Sequence, residues 1–171
     1  MQTKPINKIT IRELTERAEV SRCTFYLHFD SIFSMVQSLE SDMLIDFREG
    51  VKEIVSGNEN SKKLVSELIT FAFRHKYDNL PYSRILYSSP SHPEFLMQYN
   101  RIVIEELSLA YPGKIKADMI PGLNFYLSGI LSSIQQWILN DMTVSPEEMS
   151  KQIIGIIANG GAYLEMFNPR R

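Results

Sequence analysis

The chain has 171 residues, 44% of them hydrophobic, and a formal net charge of −2. That balance suits one domain, or a small head joined to a larger body, and excludes a disordered or fibrous chain. The single cysteine, Cys23, excludes an intramolecular disulfide and a cysteine-rich metal site, and the slight acidity gives no whole-chain sign of a nucleic-acid binder.

The charge is weakly uneven. Residues 1–30 hold Lys4, Lys8, Arg12, Arg17 and Arg22 against Glu13, Glu16, Glu19 and Asp30, which is 5 − 4 = +1 and leaves −3 for the remainder. The N-terminus lacks the apolar core of a signal peptide, so none is expected. The most apolar stretch, 123–139, is broken by Asn124, Ser128, Ser132, Ser133, Gln135 and Gln136, so no membrane span is expected. A reducing cytoplasm is the expected location.

In chain order the apolar pattern is helical nearly throughout, and the fold class expected is all-α. Thr10 followed by Glu13 forms a capping box for a short helix in which Ile11, Leu14 and Ala18 share a face. Glu19 and Val20 make a turn, with Val20 expected to plug the corner. Ser21 caps a second short helix, "RCTFYLHF", and Asp30–Ser31 interrupt and cap again. A long amphipathic helix follows at about 32–55, carrying Phe33, Val36, Leu39, Met43, Phe47, Val51 and Ile54. The polar stretch 56–61, "SGNENS", reads as a linker. Further helices are expected at about 62–77, 81–88, 92–110, 115–140 and 146–167, the last opened by Ser145–Pro146 with Glu147 and Glu148 suiting the helix dipole.

Residues 10–29 have the proportions of a helix-turn-helix. Phe25 and Phe29, at i and i+4, turn to the core. Arg22 and Tyr26 then share a second face, and Thr24 and His28 a third. An outward face of this kind can enter a DNA major groove. Arg22 can reach a guanine edge or a phosphate, Thr24 a thymine methyl, and Tyr26 and His28 phosphate oxygens. The helix N-termini at Thr10 and Ser21 are natural phosphate positions, and Cys23 lies on the same outward helix.

The stretch "ITIRELTERAEVSRCTFYLHFDS" resembles the DNA-binding head of the TetR family of bacterial transcriptional regulators. Thr10, Ile11, Arg12, Leu14, Ala18, Val20, Ser21, Thr24, Phe25, Tyr26, His28 and Phe29 carry the likeness in register. The tail "YLSGILSSIQQWILNDMTVSPEEMSKQII" resembles the C-terminal part of many such regulators. Three departures stand out. Glu19 occupies the place of a common turn glycine, which is tolerated only if the backbone there is not forced to positive φ. Ile32 stands where the family often has a phosphate-contacting lysine. Residues 1–11 leave room for only the last turn of the helix that usually precedes this motif, and uncovering the apolar side chains it would pack on costs about 1.5–3 kcal/mol each.

The resemblance implies a TetR-like architecture: an N-terminal helix-turn-helix DNA-binding domain at 1–48, with most of its first helix missing, and a helical-bundle ligand-binding and dimerisation domain at 49–171. It implies a homodimer on double-stranded, near-palindromic operator DNA, since half-sites must be read at fixed spacing. Thr10, Ser21, Arg22, Cys23, Thr24, Tyr26 and His28 would touch DNA. Leu127, Ile130, Leu131, Ile134, Ile153, Ile157, Gly160 and Gly161 would form the dimer face. Phe71, His75, Tyr82, Leu86, Phe95, Tyr99, Phe125 and Trp137 would line a pocket for a small apolar or aromatic ligand, although an aromatic stripe at helical spacing is also how a plain core looks. Repression is the family's usual mode.

Catalysis has little support. His28, His75 and His92 are scattered, and there is no Gly–x–Ser–x–Gly elbow and no phosphate-binding glycine loop. No cofactor, metal or membrane partner is implied. The remaining alternative is a helical dimeric interaction protein with weak or no DNA binding that acts through a protein partner.

Overall fold

The computed structural model describes residues 8–57, 61–88 and 93–159. Among these the chain is helical, with no strand. Its helices are α1 (Ile11–Arg17), α2 (Arg22–His28), α3 (Ile32–Ser56), α4 (Ser61–Asp78), α5 (Leu80–Ser88), α6 (Pro93–Ala110), α7 (Ile120–Leu139) and α8 (Pro146–Ala158). A 3-10 turn at Ala117–Met119 leads into α7, so the helix expected from 115 begins later; Pro121, with φ fixed and no N–H to lose, sits in its first turn.

The two short helices are set by local hydrogen bonds. Thr10 closes a capping box on α1: the Glu13 amide donates to Thr10 Oγ1 at 3.2 Å, and the Thr10 amide donates to Glu13 Oε2 at 3.2 Å. Ser21 accepts from the Thr24 amide at 2.9 Å, and Ser31 accepts from the Ser34 amide at 3.0 Å. Each such cap contributes about 1 kcal/mol. Helix α1 ends in a Schellman turn: the Val20 amide donates to the Thr15 carbonyl at 3.0 Å and the Glu19 amide to the Glu16 carbonyl at 3.4 Å. That turn needs a left-handed residue, and Glu19 is held at φ 55°. The condition under which glutamate was expected to be tolerated is therefore not met. Val20 does not plug the corner either; it is 44% exposed, because the 6→1 hydrogen bond turns it outward.

The body packs around α3. Val36, Met43, Phe47, Val51 and Val55 repeat along one face of α3 and are buried with Leu64 of α4, Leu86 of α5, and Phe95, Tyr99, Ile102 and Val103 of α6. Burying side chains of this size stabilises the fold by about 1.5–3 kcal/mol each. Close approach of α3 and α4 depends on Gly50, since the ring of Phe71 occupies the space a β-carbon would take. A second cluster, Ile69, Phe73, Tyr87, Ile134, Trp137 and Ile138, joins α4, α5 and α7, with Met149, Ile153, Ile154 and Ile157 of α8 packed against it. The Trp137 indole N–H donates to the Val144 carbonyl at 3.0 Å and ties down the α7–α8 connection. Ion pairs join other elements: Arg48 of α3 reaches Glu105 at 2.7 Å and Glu106 at 2.5 Å on α6, and Arg74 of α4 pairs with Glu147 of α8. No described helix is long and apolar enough to cross a membrane.

Candidate functional site

On α2, only Phe25 is buried, its ring tilted against that of Phe29 at 5.7 Å between centroids. Arg22, Cys23, Thr24, Tyr26 and His28 are all exposed. The spacing of the sequence thus puts the polar side chains on the outside of a helix held by a cap at one end and a ring contact at the other. Thr24 Oγ1 lies 2.8 Å from Ser21 Oγ, which fixes the hydroxyl and leaves the methyl group free. Thr10 is placed differently from a vacant phosphate position. Its amide and its hydroxyl are both within 3.2 Å of the Glu13 carboxylate, so an incoming phosphate has to displace a negative side chain there. Leu27 and Phe33 are also exposed in the head, at 77% and 56%.

In the body, five of the eight candidate pocket residues come together. Phe71, His75, Leu86, Phe95 and Tyr99 belong to or border the core around Phe47. Phe47 stacks on Phe71 at 5.4 Å, meets His75 at 5.4 Å, and meets Tyr99 at 4.8 Å; Tyr99 in turn meets Phe95 at 5.2 Å. Trp137 lies in the other cluster, against Phe73 at 5.5 Å. Tyr82 is exposed. Phe125, 76% exposed, points away from the core, because α7 buries its Leu127–Leu131–Ile134 side instead.

These rings enclose a lysine that no motif in the sequence marks. Lys76 is 1% exposed, with Nζ 3.3 Å from the centroid of the Tyr99 ring and 5.9–6.0 Å from those of Phe47, Tyr87 and Phe95. Lys76 Nζ, both ring nitrogens of His75, and the hydroxyls of Tyr87 and Tyr99 are buried with no hydrogen-bond partner among the described residues. Burial pushes the Lys76 amine well below the ordinary lysine range. Burial, with a smaller contribution from Lys76, pulls His75 down to about 4, and burial pushes both tyrosines up. A signal was present: Lys76 follows Ile69 and Phe73 at i+7 and i+3, on the buried stripe of α4.

Of the candidate dimer residues, Ile134 is fully buried inside its own chain, held by Phe73, Tyr87 and Trp137 in the same cluster, and has no free surface to offer a partner. Leu127, Ile130, Leu131, Ile153 and Ile157 are partly buried against the two clusters. Gly160 and Gly161 lie outside the described residues. The exposed apolar groups on this side are instead Phe125, Tyr126 and Leu139 of α7 and Ile156 of α8. A β-carbon added at Gly122, Gly129 or Gly155 would meet nothing within 4 Å, so packing within the chain does not require those glycines.

Among the described residues no group of three or more His, Cys, Asp or Glu side chains could hold a metal ion.

The comparisons with known proteins bear on the whole arrangement. Residues 63–159, more than half of the chain, match a family described as the C-terminal region of transcriptional regulators, of the TetR type. Among solved structures, the fatty acid degradation regulator FadR from Bacillus halodurans superposes with a TM-score of 0.71 over 93% of this chain and 92% of that one, at 12% identity, a likeness of fold. No curated protein sequence matches. With an all-α fold, a capped helical pair at its N-terminal end and a regulator's C-terminal region over α4–α8, the chain belongs to the TetR family of transcriptional regulators.

Proposed function

We propose that this regulator is a homodimeric DNA-binding repressor. Residues 1–48 form the DNA-binding domain and residues 49–171 the regulatory and dimerisation domain. A ligand held in the body changes the spacing of the two heads and so the operator affinity, by population shift. One observation carries the reading: α2 exposes Arg22, Cys23, Thr24, Tyr26 and His28 together on a rigidly capped helix short enough to lie in a major groove. The dimer is supported by Phe125, Tyr126, Leu139 and Ile156 on open surface beside glycines that no intrachain contact explains, since small residues allow close helix approach. The site of action is the cytoplasm.

The test is fluorescence anisotropy with duplex from the gene's own upstream region, titrated across salt. Binding tighter than to scrambled duplex, falling steeply with salt, supports the reading. Equal and feeble binding to both duplexes supports the second reading, an interaction protein acting through a protein partner. Exposed Leu27 favours that reading, since it is an apolar group a phosphate backbone cannot use.

A further inference from the structure

We infer that the Lys76 cage is the recognition point for the anionic end of the effector, which makes that effector an organic acid with an aromatic or otherwise apolar body. The inference rests on the effector reading above and names the ligand's chemistry. For folding alone, a buried amine without a partner is a cost: such a group must be paired, hydrogen-bonded or neutralised. Here it is none of the first two. No carboxylate among the described residues is ion-paired with Nζ, and Glu105 and Glu106 of α6 are held by Arg48.

Around Nζ lie two hydroxyls and an imidazole, with the Glu40 carboxylate of α3 near Tyr99. The amine, the Tyr87 and Tyr99 hydroxyls and a neutral His75 all have N–H or O–H groups to give, and all lack an acceptor. A carboxylate is the acceptor-rich complement of that set, and its hydrogen bonds to such donors are of the strong, charge-assisted kind. Phe47, Phe95 and Tyr99 line the cage with apolar carbon, and because these rings touch one another, the apolar body enters only as they move apart. The titratable groups facing the amine are Tyr87 from α5 and Tyr99 from α6, with His75 beside it on α4 and Glu40 of α3 close enough to Tyr99 to act on its hydroxyl. Burial depresses the amine. An arriving anion supplies the missing counter-charge, so the lysine takes up a proton as the ligand binds.

The experiment is titration calorimetry of the full chain with phenylacetate, 2-phenylethanol and phenethylamine, which share a ring and differ in charge. Each is run at neutral pH in phosphate and in Tris, whose ionisation enthalpies differ. Phenylacetate is expected to bind in preference to the other two and with net proton uptake. Lys76→Met is expected to weaken phenylacetate by about tenfold or more while leaving 2-phenylethanol unchanged. The unliganded variant is expected to melt at a higher temperature, because the unpaired amine is gone. Equal binding of the acid and the alcohol overturns the inference but leaves an effector site in the body. Unchanged phenylacetate affinity in Lys76→Met, or a lower melting temperature of that variant, overturns it by making Lys76 a bystander or a structural strut. Failure of all three probes to bind overturns it too, while the effector reading itself is judged separately by operator anisotropy.

Discussion

The head and the body hold themselves together by different means. In α1 and α2 the buried side chains are Thr15 and Phe25, and much of the order comes from the Thr10 and Ser21 caps, the Schellman turn and the Phe25–Phe29 contact. The body instead interlocks α3–α8 through two apolar clusters and the ion pairs of Arg48 and Arg74. Caps and turns contribute about 1 kcal/mol apiece, whereas buried aromatic residues contribute several times that. The region proposed to read DNA is thus the one whose surface is spent on outward side chains. The region proposed to sense a ligand is the one with packing to spare, and it holds buried polar groups unpaired at its centre.

The comparison breaks most visibly in the body. Phe73→Ala, removing a ring with no exposure, is expected to cost about 3–5 kcal/mol in urea unfolding. A loss below about 1 kcal/mol would mean that the second cluster is not a packed core.

The next effect is a pH dependence. His75 is held near 4 in the folded chain against 6.5 when free, so the unfolded state binds its proton first. Stability from this residue is fully present above pH 6.5 and is lost as pH falls from there toward 4, by about 2–3 kcal/mol. His75→Phe is expected to flatten that slope in unfolding measured between pH 7 and pH 4; an unchanged slope would place the acid sensitivity elsewhere.

In the head, Arg22→Ala is expected to weaken operator binding by about 1–3 kcal/mol and to flatten its salt dependence if the side chain meets a phosphate. The circular-dichroism spectrum and melting temperature should stay near those of the parent, because Arg22 is exposed. Ser21→Ala, which removes the α2 cap, is expected to cost about 1 kcal/mol in stability. The smallest change sharpens the same contrast from the opposite side. Glu19→Gly relieves a left-handed residue in the Schellman turn and is expected to stabilise the chain by up to about 1 kcal/mol in the same urea assay. Destabilisation there would show that the glutamate side chain contributes more than its backbone strain removes.

What the sequence by itself determined were the features that local chemistry controls. The caps at Thr10, Ser21, Ser31 and Ser145 follow from side chains one turn from the amides they accept, and the helical periods follow from spacing alone. The outward array on α2 was legible for the same reason: with Phe25 turned inward, its neighbours have nowhere else to go. Tertiary structure decided what depends on several elements meeting. A glutamate does not announce φ 55°; the 6→1 hydrogen bond of a completed turn imposes it. The stripe Leu127–Leu131–Ile134 reads equally well as a dimer face or a core, and only the placement of α4, α5 and α6 against α7 turned Ile134 inward and left Phe125 outside. Lys76 reads as a surface lysine until α3, α5 and α6 close four rings around it. Burial of a charge is a property of the assembled neighbours, and no window of sequence contains them all.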